Sequence, residues 1–229
     1  GAAAGITDSG NVTVTGNLIA TTDANSGVID MGTLRVDGTM ALTTDGDGNA
    51  TVVNDTLLDF ANSTVRGNLV ATATTGNITQ SGALTITGTT TLVTSADNGT
   101  IDLKVNSIVN AFTGKLLITT NDTGSETDGD VEIDGGITNL IIGASTIDGD
   151  LNLRSGGTIT DDGIATVRGT LTATTDQSNK IITLNELAVT GAFTLAPDGT
   201  GAVTIVNAAG LNLAASTMGG DFSGTATTG

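Results

Sequence analysis

Apolar and polar residues alternate with a period of two along most of this chain. Val12 and Val14 flank Thr13, and Leu18 and Ala20 alternate with Ile19 and Thr21. The same rhythm returns at Leu34 and Val36, at Met40 and Leu42, and again through residues 78–92, 101–109, 116–119 and 131–133. Alternation rich in β-branched residues and bounded by Gly, Asn and Asp predicts short strands. The stretches 45–49 and 121–130 are polar and predict loops. No segment has a helical period.

The strands recur in a threefold repeat. Residues 6–18 (ITDSGNVTVTGNL), 78–90 (ITQSGALTITGTT) and 159–171 (ITDDGIATVRGTL) share Ile, Thr, Gly, Thr and Gly in register. Two further signatures follow each window, and the last aligns Ser63, Ser145 and Ser216. Three super-repeats result: 6–77, 78–158, and 159–229 continuing into 1–5 of a next copy. Joined end to end, the termini read GDFSGTATTG-GAAAGITDSG, close to the internal passage at residues 67–82. The expectation is therefore a single segment, 1–229, of a tandem array, its partners being further copies head to tail.

Within each super-repeat, a glycine precedes an apolar strand three times, at Gly16, Gly38, Gly67, Gly88, Gly114, Gly149, Gly169, Gly191 and Gly220. A unit of this size with glycine corners predicts an all-β, right-handed parallel β-solenoid (β-helix) of about nine coils, three per super-repeat. Nine coils would span ~43 Å. Leu18, Thr90 and Leu171 are expected to share one inward column, and Ala20, Leu92 and Ala173 another. Thr90 in an apolar column needs a partner for its hydroxyl.

Composition sharpens this picture. The chain has 33 glycines, one proline, four phenylalanines and neither Trp nor Tyr, so its core must be built from small and medium side chains in thin layers. Its net charge of −17 repels phosphate backbones, which argues against nucleic-acid binding, and no run is long enough for membrane insertion. With no His and no Cys, the usual nucleophile–base pairs cannot be assembled. No catalytic, cofactor-binding or metal-binding residues are assigned, and the expectation is a protein that is not an enzyme.

Four weaker motifs have a plain alternative. Asp45, Asp47 and Asn49 have the spacing that opens an EF-hand, but Ala50 and Thr56 stand where Gly and Glu are needed. Asp128 and Asp130 mark a second acidic loop, and ordinary turns account for both. Seven Asn-x-Ser/Thr sequons, among them Asn11, Asn62 and Asn98, follow from a Thr-rich composition. Threonine pairs such as Thr172 and Thr174 suit ice-binding solenoids, yet also any outward strand face. Arg66 and Arg168 adjoin corner glycines and are placed to pair with an Asp of the neighbouring coil.

The phrases GNLVATATTGNITQSGALTITGTTTL and GNLIATTDANSGVIDMGTLRVDGTMAL resemble the repeat regions of filamentous-haemagglutinin-like giant bacterial exoproteins. That resemblance implies a long extracellular fibre at the cell surface, and this segment as part of its shaft. The alternative expectation is an adhesin shaft that binds a cell-surface or host ligand through its lateral faces and loops, residues 121–130 among them.

Overall fold

In a computed structural model, which describes residues 5–23, 25–104, 109–121, 123–124 and 128–228, the alternating stretches form two parallel sheets of twelve strands each. The chain passes from one sheet to the other and back, so the molecule is a β-solenoid. The first face carries Ile6–Thr7 with Val12–Val14, then Ile29–Val36, Ala50–Asn54, Leu69–Ala73, Thr90–Asp97, Leu116–Asn121, Leu140–Ile147, Ile159–Val167, Ile182–Val189, Val203–Asn207 and Phe222–Ala226. The second carries Leu18–Thr21, Thr39–Thr43, Leu58–Phe60 with Ser63–Val65, Ile78–Gln80 with Leu84–Ile86, Ile101–Leu103 with Ala111–Phe112, then Val131–Asp134, Leu151–Ser155, Leu171–Thr175 and Phe193–Ala196. A bridge from Leu213 to Phe193 adds a last layer there. Among the described residues no helix is long and apolar enough to cross a membrane.

The solenoid has about ten turns rather than nine, because each super-repeat holds seven half-turns instead of six. The additional layers are Ala50–Asn54, Val131–Asp134 and Val203–Asn207. They fall in the longest gaps between the corner glycines, the first two directly after the polar stretches 45–49 and 121–130. An odd number of half-turns moves each super-repeat to the opposite side. Ile6 and Ile159 begin strands on the first face, whereas Ile78 begins one on the second. The expected columns are corrected accordingly: Leu18 and Leu171 lie on the second face, while Thr90 lies on the first, between Leu69 and Leu116. Leu92 is likewise separated from Ala20 and Ala173.

Side chains alternate in and out along most strands, so layers stack like on like. Ile29, Ala50, Leu69, Thr90 and Leu116 are paired rung upon rung, and all are buried. On the second face Leu151, Leu171 and Phe193 form a similar column. Phe60, Phe112 and Phe193, the largest of the fully buried side chains, all stand on that face.

The corner glycines answer to a ladder of amides. The Oδ1 of Asn17 accepts from the backbone N–H of Thr39, Asn49 from Asn68, and Asn68 from Thr89. Asp130 and Asp150 do the same for Asp150 and Thr170. Each such side chain lies beneath the glycine of the next coil. A Cβ on Gly88 would strike Asn68 Oδ1 and come within 2.7 Å of the Gly67 carbonyl oxygen. No side chain fits there, so the spacing G-x-apolar marks the point where one coil rests on another.

Polar groups inside the solenoid close gaps in the strand ladder. Ser63, Ser145 and Ser216 make the same pair of bonds in their three super-repeats. Each Oγ accepts from a preceding coil, from the N–H of Leu42, Ile118 or Leu195 at 3.0 Å. Each donates to the carbonyl two residues back, on Ala61, Gly143 or Ala214. Asn54 accepts from the N–H of Val36 and donates to the carbonyls of Val36 and Leu57. Asn207 repeats this with Val189 and Gly210.

Thr90 is an exception, as are Asp59 Oδ1 and Gln80 Nε2. The Thr90 hydroxyl is buried and has no hydrogen-bond partner among the described residues. A buried, unmet hydroxyl costs about 1–3 kcal/mol, whereas a group of similar shape without it does not. Thr90→Val is therefore expected to stabilise the protein by about 1 kcal/mol, read as a higher urea midpoint at unchanged slope. A lower midpoint would show that the hydroxyl is satisfied by water in the interior.

Candidate functional site

A solenoid of this kind offers three kinds of surface: turns, flat sheet faces and end plates. The turns explain the acidic motifs. At residues 45–49, Gly48 N–H and Ser26 N–H both donate to the Asp45 carbonyl, and Thr44 Oγ1 donates to the Gly48 carbonyl. Gly46 adopts φ 57° directly above Ser26 at φ 61°, a stacked pair of left-handed corners. Asn49 is occupied with the ladder. Among the described residues no three acidic side chains converge on a point that could hold a metal ion. Of the second acidic loop, residues 122 and 125–127 lie outside the described residues, while Asp130 serves as a ladder acceptor.

A groove of about 320 Å³ lies along the second face between Asp102, Asp130, Glu132 and Asp150. Its carboxylates are structurally engaged. Lys104 Nζ bonds Glu132 at 2.8 Å and Asn152 Nδ2 bonds it at 2.9 Å. The Lys104 bond is the largest cause holding the Glu132 carboxyl below its ordinary range, against the opposing effect of burial. Other basic side chains also span coils. Arg154 pairs with Asp176 at 2.7 Å, and its proximity raises the Arg154 pKa. Arg168 pairs with Asp148 of the adjacent coil at 3.5 Å, as its position beside a corner glycine predicts. At Arg66 the link to the preceding coil is its backbone N–H, donated to Thr44 Oγ1.

The third residue of each repeat window shows how position tunes a carboxylate. Asp8 accepts the N–H groups of Gly32 and Thr33, and the Thr33 bond leads in lowering its pKa. Asp161 accepts the N–H groups of Asn185 and Glu186, yet burial dominates and its pKa is raised. Gln80 stands at this place in the middle window and receives Asn110 Nδ2 instead. All three tie one coil to another.

The two flat faces differ. On the first, the outward positions from Thr51 and Val53 through Val70, Thr91, Val93 and Leu117 form an uncharged strip. On the second, Asp59, Asp102, Glu132 and Arg154 stand outward. Threonine columns are interrupted on both, by Asp30, Val70 and Leu117 on one and by Asp102 and Glu132 on the other, so the regular array that an ice-binding face requires is broken. Among the sequons, Asn54 is buried and Asn49, Asn62 and Asn77 are ladder acceptors, while Asn11 and Asn98 are exposed.

The end plates display what the middle of the molecule buries. Ile6, Val12, Val14 and Leu18 at one end, and Leu211 and Met218 at the other, are only partly covered although they pack against the core. Phe222 and Leu213 are each 39% exposed. In the sequence, inward periodicity makes these residues look like ordinary core.

A family model described as repeats of unknown function (DUF5649) matches residues 47–119 and 128–196. No curated protein and no solved structure matches the chain.

Proposed function

The chain belongs to the repeats of unknown function (DUF5649), and from that premise we propose that it is a structural segment of an extracellular bacterial fibre, stacking end to end with further copies. The observation that carries this reading is the pair of end plates. Among the described residues each leaves a sheet edge without a strand partner and its apolar columns half covered, and such edges template pairing with another chain. The interior supports a mechanical role as well. Coils are tied to their neighbours by strand pairing throughout, by a side-chain amide or carboxylate at several corners, and once in each super-repeat by the Ser63, Ser145 or Ser216 bonds. Stability in such an array is a sum over neighbouring layers, which suits a shaft of indefinite length. The resemblance to filamentous-haemagglutinin-like exoproteins supports the location outside the cell.

Electron microscopy of the native material tests the reading. Thin fibres with a ~4.8 Å axial spacing between strands are the expected result. Compact separate particles in the intact parent would overturn it. A second reading, lateral binding to a cell or host surface, is favoured by the uncharged strip on the first face. Substituting Val70 and Leu117 with Lys would then abolish attachment while leaving fibres intact.

A further inference from the structure

We infer that a second copy of the chain docks on the Phe222 end half a turn out of phase, with its residues 6–14 on the second face and its Leu18–Thr21 strand on the first. The inference rests on the end-to-end reading above and specifies its geometry.

The argument comes from the two junctions between super-repeats inside the chain. At the first, Ile78, Leu84, Ile86 and Thr90 lie on Leu58, Ser63, Val65 and Leu69. At the second, Ile159, Ala165, Val167 and Leu171 lie on Leu140, Ser145, Ile147 and Leu151. The supporting residues are spaced by five, two and four positions in both cases, and the arriving residues by six, two and four. Both junctions use one register, although the first begins on the second face and the second on the first.

The two ends of the molecule hold the separate halves of a third such junction. Leu211, Ser216, Met218 and Phe222 have the supporting spacing, and Ile6, Val12, Val14 and Leu18 have the arriving spacing. The apolar members of both sets are the partly covered ones. Because Phe222–Ala226 closes the chain's layers on the first face, the register places the arriving Ile6 on the second, over Leu211. Leu18 then covers Phe222, and Ile19 stands beside Ser223. A stack that kept each face continuous would instead set Ile6 over Phe222 and Thr7 beside Ser223. That would place two first-face layers in succession and skip the layer at Leu213.

The absence of cysteine makes the register measurable. Directly paired residues on neighbouring parallel strands lie ~4.8 Å apart, within the span of a disulfide. Two single variants of different mass, Ile19→Cys and Ser223→Cys, are mixed at fibre-forming concentration, oxidised and resolved without reductant. Both sites are exposed, so neither change disturbs the core. The mixed dimer is expected to exceed that from Thr7→Cys with Ser223→Cys by about tenfold, given the geometric demands of the bond. If the Thr7 pair cross-links instead, copies stack with faces continuous: the half-turn is overturned and the end-to-end reading stands. If neither pair cross-links in visible fibres, the register is overturned. If neither does and only separate particles are seen, the end-to-end reading fails with it.

Discussion

Replacing Phe60 with alanine is expected to cost about 3–5 kcal/mol of stability, the range for truncating a fully buried aromatic. Phe60 is 0% exposed and sits between Met40 below and Gln80 above on the second face. A solenoid core is thin, and its coils are pinned to their neighbours by strand pairing and corner amides, so collapse around the void is restricted. The loss should also be local, because layers couple only to those adjacent. Denaturant titration gives the magnitude. Amide exchange gives the place, with protection falling first in Thr39–Thr43 and Ile78–Gln80. The matched control is Ile19→Ala, 76% exposed, which should change stability by less than ~0.5 kcal/mol. A cost below ~1 kcal/mol for Phe60→Ala would mean that the coils close over the gap and that packing is looser than the burial indicates.

The second large effect is expected at Asn54. Its side chain is 1% exposed and meets three backbone groups of two segments, the N–H and carbonyl of Val36 and the carbonyl of Leu57. Asn54→Ala strands the buried Val36 N–H, while the Val36 carbonyl keeps its bond from Thr56 Oγ1 at 3.0 Å. At about 1–3 kcal/mol for a buried group so stranded, the expected loss is about 2 kcal/mol. Asn54→Asp should be at least as harmful at neutral pH, because a carboxylate has no donor to offer the two carbonyls and brings charge into a buried site. Asn207→Ala should reproduce the loss around Val189, where the same bonds recur. Thermal melts and exchange at Val36 and Val189 check both. Normal protection at Val36 in the Asn54→Ala variant would show that another group takes over the bond.

Much of this architecture is legible in the sequence because solenoid coils repeat their chemistry. Alternation gives the strands, and the glycine two residues before an apolar position gives the corners. The half-turn is harder to see. Gly48, Gly129 and Gly201 stand two residues before Ala50, Val131 and Val203, the same spacing as Gly67 before Leu69. They lie among Asp and Gly residues that also form turns, so even where alternation is visible, as at 131–133, the count of corners omits these three layers. With those layers missed, Thr90 and Leu18 fall into one imagined column, although in space they lie on opposite faces. The aligned serines show a different gap. Their recurrence is visible, but their purpose depends on a hydrogen bond to a residue 21 to 27 positions earlier, which no local pattern encodes. The end plates are hidden for the same reason: Leu18 and Leu92 read alike, and only stacking decides which of them is fully covered.

The corner ladder also bears on how such a molecule ages. Asparagine amides hydrolyse slowly to carboxylates in long-lived proteins. At the corners only Oδ1 is used, and Asp130 and Asp150 already hold that post with a carboxylate oxygen. Conversion of Asn17 or Asn68 would therefore keep the acceptor and merely add charge to a surface that is acidic already. Asn54 and Asn207 have no such tolerance, since both spend their Nδ2 donors on carbonyls. Their burial shields them from the water that the reaction requires. The corners can weather, and the positions that cannot are kept dry.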